Sequence, residues 1–183
     1  MKSIKVEIKK EKNLSKDFIK FWNKTMFNTF MSKPMKNFEK DLFFVVKDNN
    51  QIVALATLVP VKIEYLSKNY DILGIGDVTS LIRKRGYGKI LVESIKRYTQ
   101  KNKKTALGFT HNTRIAFYEK CGIKIKKRMT KKFFYIGKNK EAKKYARFYS
   151  RCNPVVIYLE GKDNFMKTLL KNKERVELPI QFW

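Results

Sequence analysis

Apolar and polar residues in the first third of the chain follow patterns that predict a strand, a helix and a hairpin. Residues 3–8 alternate between the two classes and are typical of an edge strand. Between residues 15 and 30 apolar side chains recur every three or four positions, which predicts an amphipathic helix with Ser15 as its N-cap. Residues 42–47 and 52–65 are strand-like and flank an Asp-Asn-Asn cluster, so they predict a hairpin.

The same patterns predict further strands and helices in the remainder of the chain. Residues 71–81 are apolar on both faces, which favours a central strand. Residues 86–100 carry one apolar stripe and predict a helix, 105–110 predict a short strand, and 115–121 predict two helical turns ended by Gly122. The later predicted elements are strands at 123–125, 133–136 and 155–159, a helix at 164–170 and a last strand ending at Trp183. This order predicts an α/β (α+β) fold with a mixed sheet in one domain, residues 1–183.

Composition narrows the class of protein. The 183 residues suffice for one domain with a sizeable core, and 43% of them are hydrophobic, so we expect a folded protein. No apolar run approaches the ~18 residues of a membrane span, and the N-terminus lacks a secretory signal pattern. Two cysteines, Cys121 and Cys152, cannot form a disulfide framework. These features predict a reduced, cytoplasmic protein without a membrane span.

The charge is the most unusual feature of the composition. There are 42 Lys and Arg residues against 16 Asp and Glu residues, which gives a formal net charge of +26. Such a field attracts polyanions and repels polycations. RNA, a ribosome, DNA, an acidic substrate and an anionic lipid surface are compatible partners. A lysine-rich proteome that fills exposed positions with Lys is the alternative explanation.

The C-terminal third concentrates this charge. Residues 124–151 contain twelve Lys and Arg residues against one acid, Glu141, and interleave them with Tyr145, Phe148 and Tyr149. Basic and aromatic residues together suit contact with phosphates and stacking on bases. A solvated hairpin followed by an amphipathic helix carries the same pattern. Nucleic acid is therefore a candidate partner of this segment, and a solvated surface is the alternative.

A basic, glycine-containing stretch joins the predicted central strand to the following helix. Its sequence is Arg83-Lys84-Arg85-Gly86-Tyr87-Gly88. Backbone N–H groups at two glycines can converge on one anion where the helix dipole is positive, which suits a pyrophosphate. The stretch lacks the Gly-Lys-Ser/Thr of a Walker loop, and it lacks the third glycine and downstream acid of a dinucleotide-binding fingerprint. Taken alone, it is also compatible with a tight turn that carries solvated arginines.

Two motifs at a suitable separation add to this interpretation. The first is Arg83-x-x-Gly86-x-Gly88, preceded by Asp77-Val78-Thr79-Ser80. The second is Phe117-Tyr118-Glu119-Lys120-Cys121-Gly122-Ile123, and a predicted helix and strand lie between the two. Together they resemble the GNAT superfamily of N-acyltransferases, and the resemblance extends over residues 40–136. Ile123 stands where the family usually has an aromatic residue, and Ser80 where it often has proline.

The resemblance implies a fold and a co-substrate. The fold is a mixed, mostly antiparallel sheet with a splayed central parallel pair, flanked by helices. The co-substrate is acetyl-CoA, whose pantetheine arm would pair with main-chain groups of the strand end Val78, Thr79 and Ser80. Its pyrophosphate would be held by Arg83, Lys84, Arg85, Gly86, Tyr87, Gly88 and Lys89. Asn112 is a further candidate for a hydrogen bond to the cofactor.

The resemblance also implies catalytic roles. Tyr118 falls on the family's general-acid tyrosine, and a phenol of pKa ~10 can protonate a thiolate of pKa ~8.5 with little penalty. Alternatively, Tyr118 is a core aromatic residue of a short helix. Asp77 is the candidate base that takes a proton from the amine, although it would serve equally as a turn or cap residue. Other candidates are Glu64, Asp71, His111 and the Trp183 carboxylate. With one histidine and two distant cysteines, no metal site is expected.

These features favour an N-acetyltransferase that transfers the acetyl group of acetyl-CoA to a primary amine by direct attack. No motif identifies the acceptor, and nothing indicates the oligomeric state. The alternative is a GNAT-fold protein associated with RNA or a ribosome, with acetyl-CoA as a ligand or RNA as the substrate. The short last helix and terminal Trp183 faintly resemble the aminoglycoside 2′-N-acetyltransferase branch, but the charge of +26 disfavours a polycationic substrate.

Overall fold

The strands and helices follow one another in the predicted order. The computed structural model describes residues 3–30, 41–135 and 154–178. Within these residues the strands are β1 (Ile4–Lys10), β2 (Leu42–Asp48), β3 (Gln51–Tyr65), β4 (Lys68–Ser80), β5 (Ala106–Thr110), β6 (Lys124–Lys126), β7 (Phe133–Tyr135), β8 (Val155–Leu159) and β9 (Val176–Leu178). The helices are α1 (Lys16–Phe30), α2 (Tyr87–Asn102), α3 (Ile115–Lys120) and α4 (Phe165–Lys171). Cys152, Trp183 and the aromatic residues of the basic segment lie outside the described residues.

Seven strands form one mixed sheet in the order β1-β2-β3-β4-β5-β8-β6, and β7 pairs with β9 in a separate two-stranded sheet. The pairs β1–β2, β2–β3, β5–β8 and β6–β8 are antiparallel. The neighbours β4 and β5 are parallel. The prediction of a mostly antiparallel sheet with a central parallel pair is therefore confirmed.

The parallel ladder between β4 and β5 is short. It ends at Ile75 and Gly108, whereas β4 continues to Ser80. A Cβ atom on Gly108 would lie 2.8 Å from the carbonyl oxygen of Ile75, so a side chain does not fit at this close approach. Two residues after Ile75, Asp77 adopts a left-handed φ of 53°, which interrupts the regular pleat of β4. The last part of β4 thus extends beyond its ladder with β5.

Contacts group the elements into two compact units. The first comprises Met1–Val59 and Asp77–Ile95, and the second comprises Pro60–Gly76 and Lys96–Trp183. Each unit contains its own buried aromatic residues. The strands β3 and β4 and the helix α2 contribute residues to both units, because their bounds cross these limits.

The core of the first unit forms where α1 packs on the β2–β3 hairpin. Phe18, Trp22 and Met26 of α1 are buried in one cluster with strand residues such as Phe43. The Trp22 and Phe43 rings meet edge to face with their centroids 4.8 Å apart. Ser15 Oγ accepts a hydrogen bond from the backbone N–H of Phe18 at 3.2 Å, which confirms Ser15 as the N-cap of α1.

The second unit is organised around Phe165 of α4. Its ring packs on Tyr65 and Tyr70 with centroid distances of 6.3 and 5.1 Å. The Asp163 carboxylate accepts hydrogen bonds from the backbone N–H groups of Thr105 at 2.7 Å and Phe165 at 2.9 Å. One carboxylate therefore links the start of α4 to the residue that precedes β5.

Candidate active site

Residues 81–86 join β4 to α2 and form an exposed turn, which we call the basic turn. Two of its residues are left-handed, Lys84 with φ 60° and Gly86 with φ 80°. Turns with left-handed residues can direct successive N–H groups toward one anion. The Gly86 carbonyl accepts a hydrogen bond from the Ile90 N–H at 3.1 Å, so Gly86 is the residue that precedes the first helical turn. The N–H groups of that first turn have no acceptor within α2.

The charges of the basic turn also suit an anion. Arg83, Lys84 and Arg85 are exposed, and the first turn of the 16-residue helix α2 contains no acidic residue. The helix dipole adds partial positive charge at the same place. Lys89 is 3.7 Å from Glu93, but both side chains are largely exposed and the pair screens little of this charge. The residues predicted to hold a pyrophosphate therefore come together in one turn and one helix start, and they fit that group.

The end of β4 leads directly into the basic turn. Val78 and Ser80 are half-buried, whereas Thr79 is buried. Within the described part of the chain, the Thr79 Oγ1 has no hydrogen-bond partner. Ser80 Oγ donates a hydrogen bond to the Ile82 carbonyl at 2.8 Å, which ties the end of the strand to the turn. The predicted pantetheine strand and the predicted pyrophosphate turn are thus one continuous, anchored segment.

Asp77 occupies its left-handed position at the start of this segment. Aspartate tolerates such a φ better than most residues do. The residue is partly exposed, but protein surrounds its carboxyl group, and Thr57 Oγ1 donates a hydrogen bond to its Oδ2 at 3.3 Å. Burial raises the pKa of Asp77 to about 6 and outweighs the Thr57 hydrogen bond, which lowers it. The carboxylate is therefore ionised at neutral pH and more basic than an ordinary aspartate.

The other predicted bases have different surroundings. Glu64 and Asp71 are exposed. His111 is exposed as well, and its Nδ1 accepts a hydrogen bond from the Thr113 N–H at 3.3 Å, which caps a short 3-10 turn. Asn112 is the exposed first residue of that turn. Asp77 differs from Glu64 and Asp71 in being half-buried, and this burial makes its carboxylate a stronger base than an ordinary aspartate.

Tyr118 lies on α3 in the second unit and is 6% exposed. Its hydroxyl is hydrogen-bonded to Thr110, the last residue of β5. Burial raises the pKa of Tyr118 to about 12, and the nearby Arg114 and the Thr110 hydrogen bond offset only part of this rise. The phenol is thus protonated at physiological pH. Complete proton transfer from it to a thiolate of pKa ~8.5 is uphill by about 5 kcal/mol, which is larger than the small penalty expected from the sequence.

The end of α3 holds Tyr118 in place. Gly122 adopts a φ of 70°, and the Ile123 N–H donates a hydrogen bond to the Tyr118 carbonyl at 3.0 Å. This geometry confirms that Gly122 ends the helix in the C-terminal glycine position. The Phe117 ring packs edge to face on Tyr118 with a centroid distance of 5.1 Å.

Two hydrogen bonds in the first unit involve residues that the sequence pattern did not indicate. Thr57 binds Asp77 across 20 positions of sequence. Asp48 accepts a hydrogen bond from the Tyr87 hydroxyl across 39 positions. A threonine within an apolar strand and an aspartate before an Asn-Asn turn both have ordinary structural explanations. No local signal therefore marked either residue.

Most of the Lys and Arg residues in the described part of the basic C-terminal segment, residues 124–135, are exposed. Lys124, Lys126, Lys127 and Arg128 lie at or directly after β6 and reach solvent. Residues 136–153 lie outside the described residues, so contact with nucleic acid stays a prediction. In the described ranges, no group of three or more His, Cys, Asp or Glu side chains is placed to hold a metal ion. None of the helices in those ranges has both the length and the apolar character that crossing a bilayer requires.

Comparison with known families decides the class of protein. Residues 39–125 match the family model of the acetyltransferase (GNAT) domain. The chain contains a GNAT acetyltransferase domain. The predicted family is confirmed, as is the predicted enzyme class of acetyl-CoA-dependent acetyltransferases. A search of curated proteins finds no match to the chain.

Solved structures share the GNAT fold at low sequence identity. A probable N-acyltransferase from Enterococcus faecalis is 17% identical with a TM-score of 0.52, over 67% of this chain and 32% of that one. This chain therefore spans about a third of the Enterococcus protein. An acyl-CoA N-acyltransferase from Pseudomonas aeruginosa is 12% identical with a TM-score of 0.58, over 85% and 99% of the two chains. NAA60 from Arabidopsis thaliana, solved with acetyl-CoA, is 12% identical with a TM-score of 0.54, over 86% and 99%.

The buried carboxyl group of Asp77 generates a prediction about stability. The pKa of Asp77 is about 6 in the folded protein, against a value of 3.8 for the unfolded chain. Its ionisation therefore destabilises the folded protein progressively as the pH rises from 3.8 to 6, and by a constant amount above pH 6. Asp77→Asn keeps an acceptor for Thr57 and tolerates the left-handed φ. We expect the gain in free energy of unfolding over wild type to fall from about 3 kcal/mol at pH 8 to about 1 kcal/mol at pH 4.5.

Urea denaturation of both proteins at the two pH values measures this difference. Any effect of the amide that does not depend on pH cancels between the two conditions. Asp71→Asn, which removes the same charge from an exposed position, is the matched control. A stability difference that stays constant from pH 4.5 to pH 8 would contradict the raised pKa.

Proposed function

We propose that this protein transfers the acetyl group of acetyl-CoA to a primary amine by direct attack of the amine on the thioester. One observation carries the proposal: the basic turn and the start of α2 directly follow a strand end that extends beyond its parallel ladder. A strand end that is not paired with β5, followed at once by a basic turn and a helix start, matches a ligand with an amide-containing arm and a pyrophosphate. The match of residues 39–125 to the GNAT domain supports the same ligand.

The segment from β4 to α2 supplies the binding groups. Main-chain groups of Val78 and Ser80 would pair with the pantetheine arm. The N–H groups of the first turn of α2 would hold the pyrophosphate, and Arg83 and Arg85 would add charge-assisted hydrogen bonds. Acetyl-CoA itself supplies the activated acyl group. The protein's part is to bind it and to manage the protons of the amine and the thiol.

Asp77 would accept the proton that the amine loses. A free ammonium group has a pKa of ~10, so a carboxylate of pKa about 6 does not deprotonate it efficiently in the ground state. Formation of the N–C bond makes that proton much more acidic. A base with a raised pKa at this position then accepts it with little penalty at neutral pH.

Tyr118 would donate a proton to the departing sulfur. Its hydroxyl is fully protonated at neutral pH because its pKa is about 12. The cost of about 5 kcal/mol applies to a thiolate in water, whose pKa is ~8.5. A thiolate formed in a buried site has a raised pKa as well, since burial disfavours its charge, and the two values approach each other. Hydrogen bonding to the sulfur as its charge develops is therefore the role that the environment of Tyr118 favours.

Binding of acetyl-CoA is the first test. Isothermal titration should show saturable binding to wild type, and Arg83→Ala and Arg85→Ala should each weaken it roughly tenfold, because each removes a charge-assisted hydrogen bond. Arg97→Ala removes the same charge from an exposed position later in α2 and should weaken binding much less. Absence of binding to wild type, or an equal loss for Arg97→Ala, would contradict the proposed site.

The role of Tyr118 is tested by Tyr118→Phe. We expect kcat to fall by about 10²-fold or more while the KM for acetyl-CoA changes little, because the hydroxyl acts on the leaving group. Since the pKa of Tyr118 is about 12, no loss of wild-type activity from its ionisation is expected below pH 10. Tyr70→Phe removes a hydroxyl from another buried ring and is the control. Full turnover by Tyr118→Phe at neutral pH would remove this role.

The role of Asp77 is tested by the pH dependence of kcat/KM between pH 5 and 9. Protonation of Asp77 should add a break near pH 6 to the slope that the substrate amine contributes, and Asp77→Asn should abolish the break. Thr57→Val should move the break to higher pH, because the lost hydrogen bond no longer favours the carboxylate. Thr57→Ser keeps the hydroxyl and should leave the break in place. A profile that is the same in all four proteins would show that another group is the base.

A further inference from the structure

The side chain of Tyr87 connects the start of α2 to the β2–β3 hairpin. Tyr87 is the first residue of α2 and directly follows the left-handed Gly86. Its ring is buried, with 8% of the residue exposed. Its hydroxyl donates a hydrogen bond to Oδ2 of Asp48. The Asp48 carboxylate raises the pKa of Tyr87, so the hydroxyl keeps its proton and remains a donor.

The acceptor of this hydrogen bond is held rigidly. Asp48 is the last residue of β2 and pairs with Gln51 across a two-residue turn. The turn residues Asn49 and Asn50 both have left-handed φ values, 49° and 66°, as tight hairpin turns require. On its other side Asp48 pairs with Ile4 of β1. The carboxylate is therefore attached to a backbone that two neighbouring strands fix.

Asp48 is an energetically unfavourable residue at this position. Among the described residues, its Oδ1 is buried without a hydrogen-bond partner. Leaving a carboxylate oxygen buried and unpaired costs free energy that an apolar residue would not cost. Proteins depart from such rules mainly at functional or strained sites. The hydrogen bond from Tyr87 is the interaction that offsets part of this cost.

We propose that Asp48 is a positioning residue for the pyrophosphate site, acting through the Tyr87 hydroxyl to fix the first residue of α2. This inference rests on the proposed function. Fixing Tyr87 fixes the directions of the N–H groups in the first turn of α2, which would bind the pyrophosphate. Donors that are already ordered bind an anion more tightly, because less conformational freedom is lost on binding.

Two thioesters distinguish a positioning role of Asp48 from a purely structural role. Acetyl-CoA contains the pyrophosphate, whereas S-acetylpantetheine carries the same thioester and arm without it. Loss of the Tyr87–Asp48 hydrogen bond should weaken the binding of acetyl-CoA and leave the use of S-acetylpantetheine unchanged. A bond that merely stabilises the fold would affect both thioesters alike.

The experiment uses Tyr87→Phe, Asp48→Ala, the double variant and Asp48→Asn. Tyr87→Phe and Asp48→Ala should each raise the KM and Kd for acetyl-CoA about 5- to 20-fold, with kcat at saturation changed less than about twofold. The double variant should lose no more than either single variant, because both remove one hydrogen bond. Asp48→Asn keeps an acceptor oxygen and should bind acetyl-CoA at least as well as wild type. For S-acetylpantetheine, kcat/KM should be the same in all five proteins.

Three results would overturn the inference, and they show whether the proposed function fails with it. In the first two results, wild type binds acetyl-CoA, and the variants either use acetyl-CoA and S-acetylpantetheine equally less well or use both as well as wild type does. Asp48 is then not a positioning residue, and the proposed function stands. If wild type does not bind acetyl-CoA at all, the proposed function fails and this inference fails with it. Circular dichroism melting of each variant shows whether it is folded, and Asp48→Asn tests the role of the acceptor in a variant that keeps the hydrogen bond.

Discussion

The place where β4 and β5 part sets the geometry of this protein. Their parallel ladder closes at Ile75 and Gly108, where the backbones approach so closely that a Cβ on Gly108 would be 2.8 Å from a carbonyl oxygen. Directly afterwards the chain turns left-handed at Asp77. The rest of β4 is then free of that ladder and runs into the basic turn. The end of β4, the Asp77 carboxylate and the basic turn are therefore placed by one interruption of a regular sheet.

Burial adjusts the two proposed catalytic groups in the same direction but with different consequences. It raises the pKa of Asp77 to about 6 and that of Tyr118 to about 12, since in both cases it disfavours the charged form. Asp77 nevertheless stays ionised at neutral pH, and Tyr118 becomes still more firmly protonated. A wide pH range thus exists in which one group can accept a proton and the other can donate a hydrogen bond.

The strong positive charge and the low identity to solved structures bear on the acceptor. Sequence identities of 12–17% show a shared fold, and substrate pockets in such folds are built from local residues. The net charge of +26 raises the local concentration of anions such as CoA phosphates and lowers that of polycationic amines. The field therefore disfavours a polycationic acceptor, as predicted from the sequence. It also keeps polyanion contact by the basic C-terminal segment as a separate prediction.

The sequence by itself determined the features that depend on neighbouring residues. Helix periodicity and capping predict the N-cap at Ser15, the end of α3 at Gly122 and the apolar stripe of α2. The glycines and the start of a helix predict the basic turn as an anion site. The pattern predicts a strand that begins at residue 71, whereas β4 begins at Lys68. The turn before it is left-handed at Leu66 and Ser67, which lack the Asn or Gly that usually marks such a turn.

Only the tertiary structure decided which side chains meet across strands. It placed Thr57 on Asp77, bonded Asp48 to Tyr87, and buried the groups whose pKa values changed. These contacts depend on strand register and on burial, which arise from packing between distant segments. A local residue pattern contains no information about such distances.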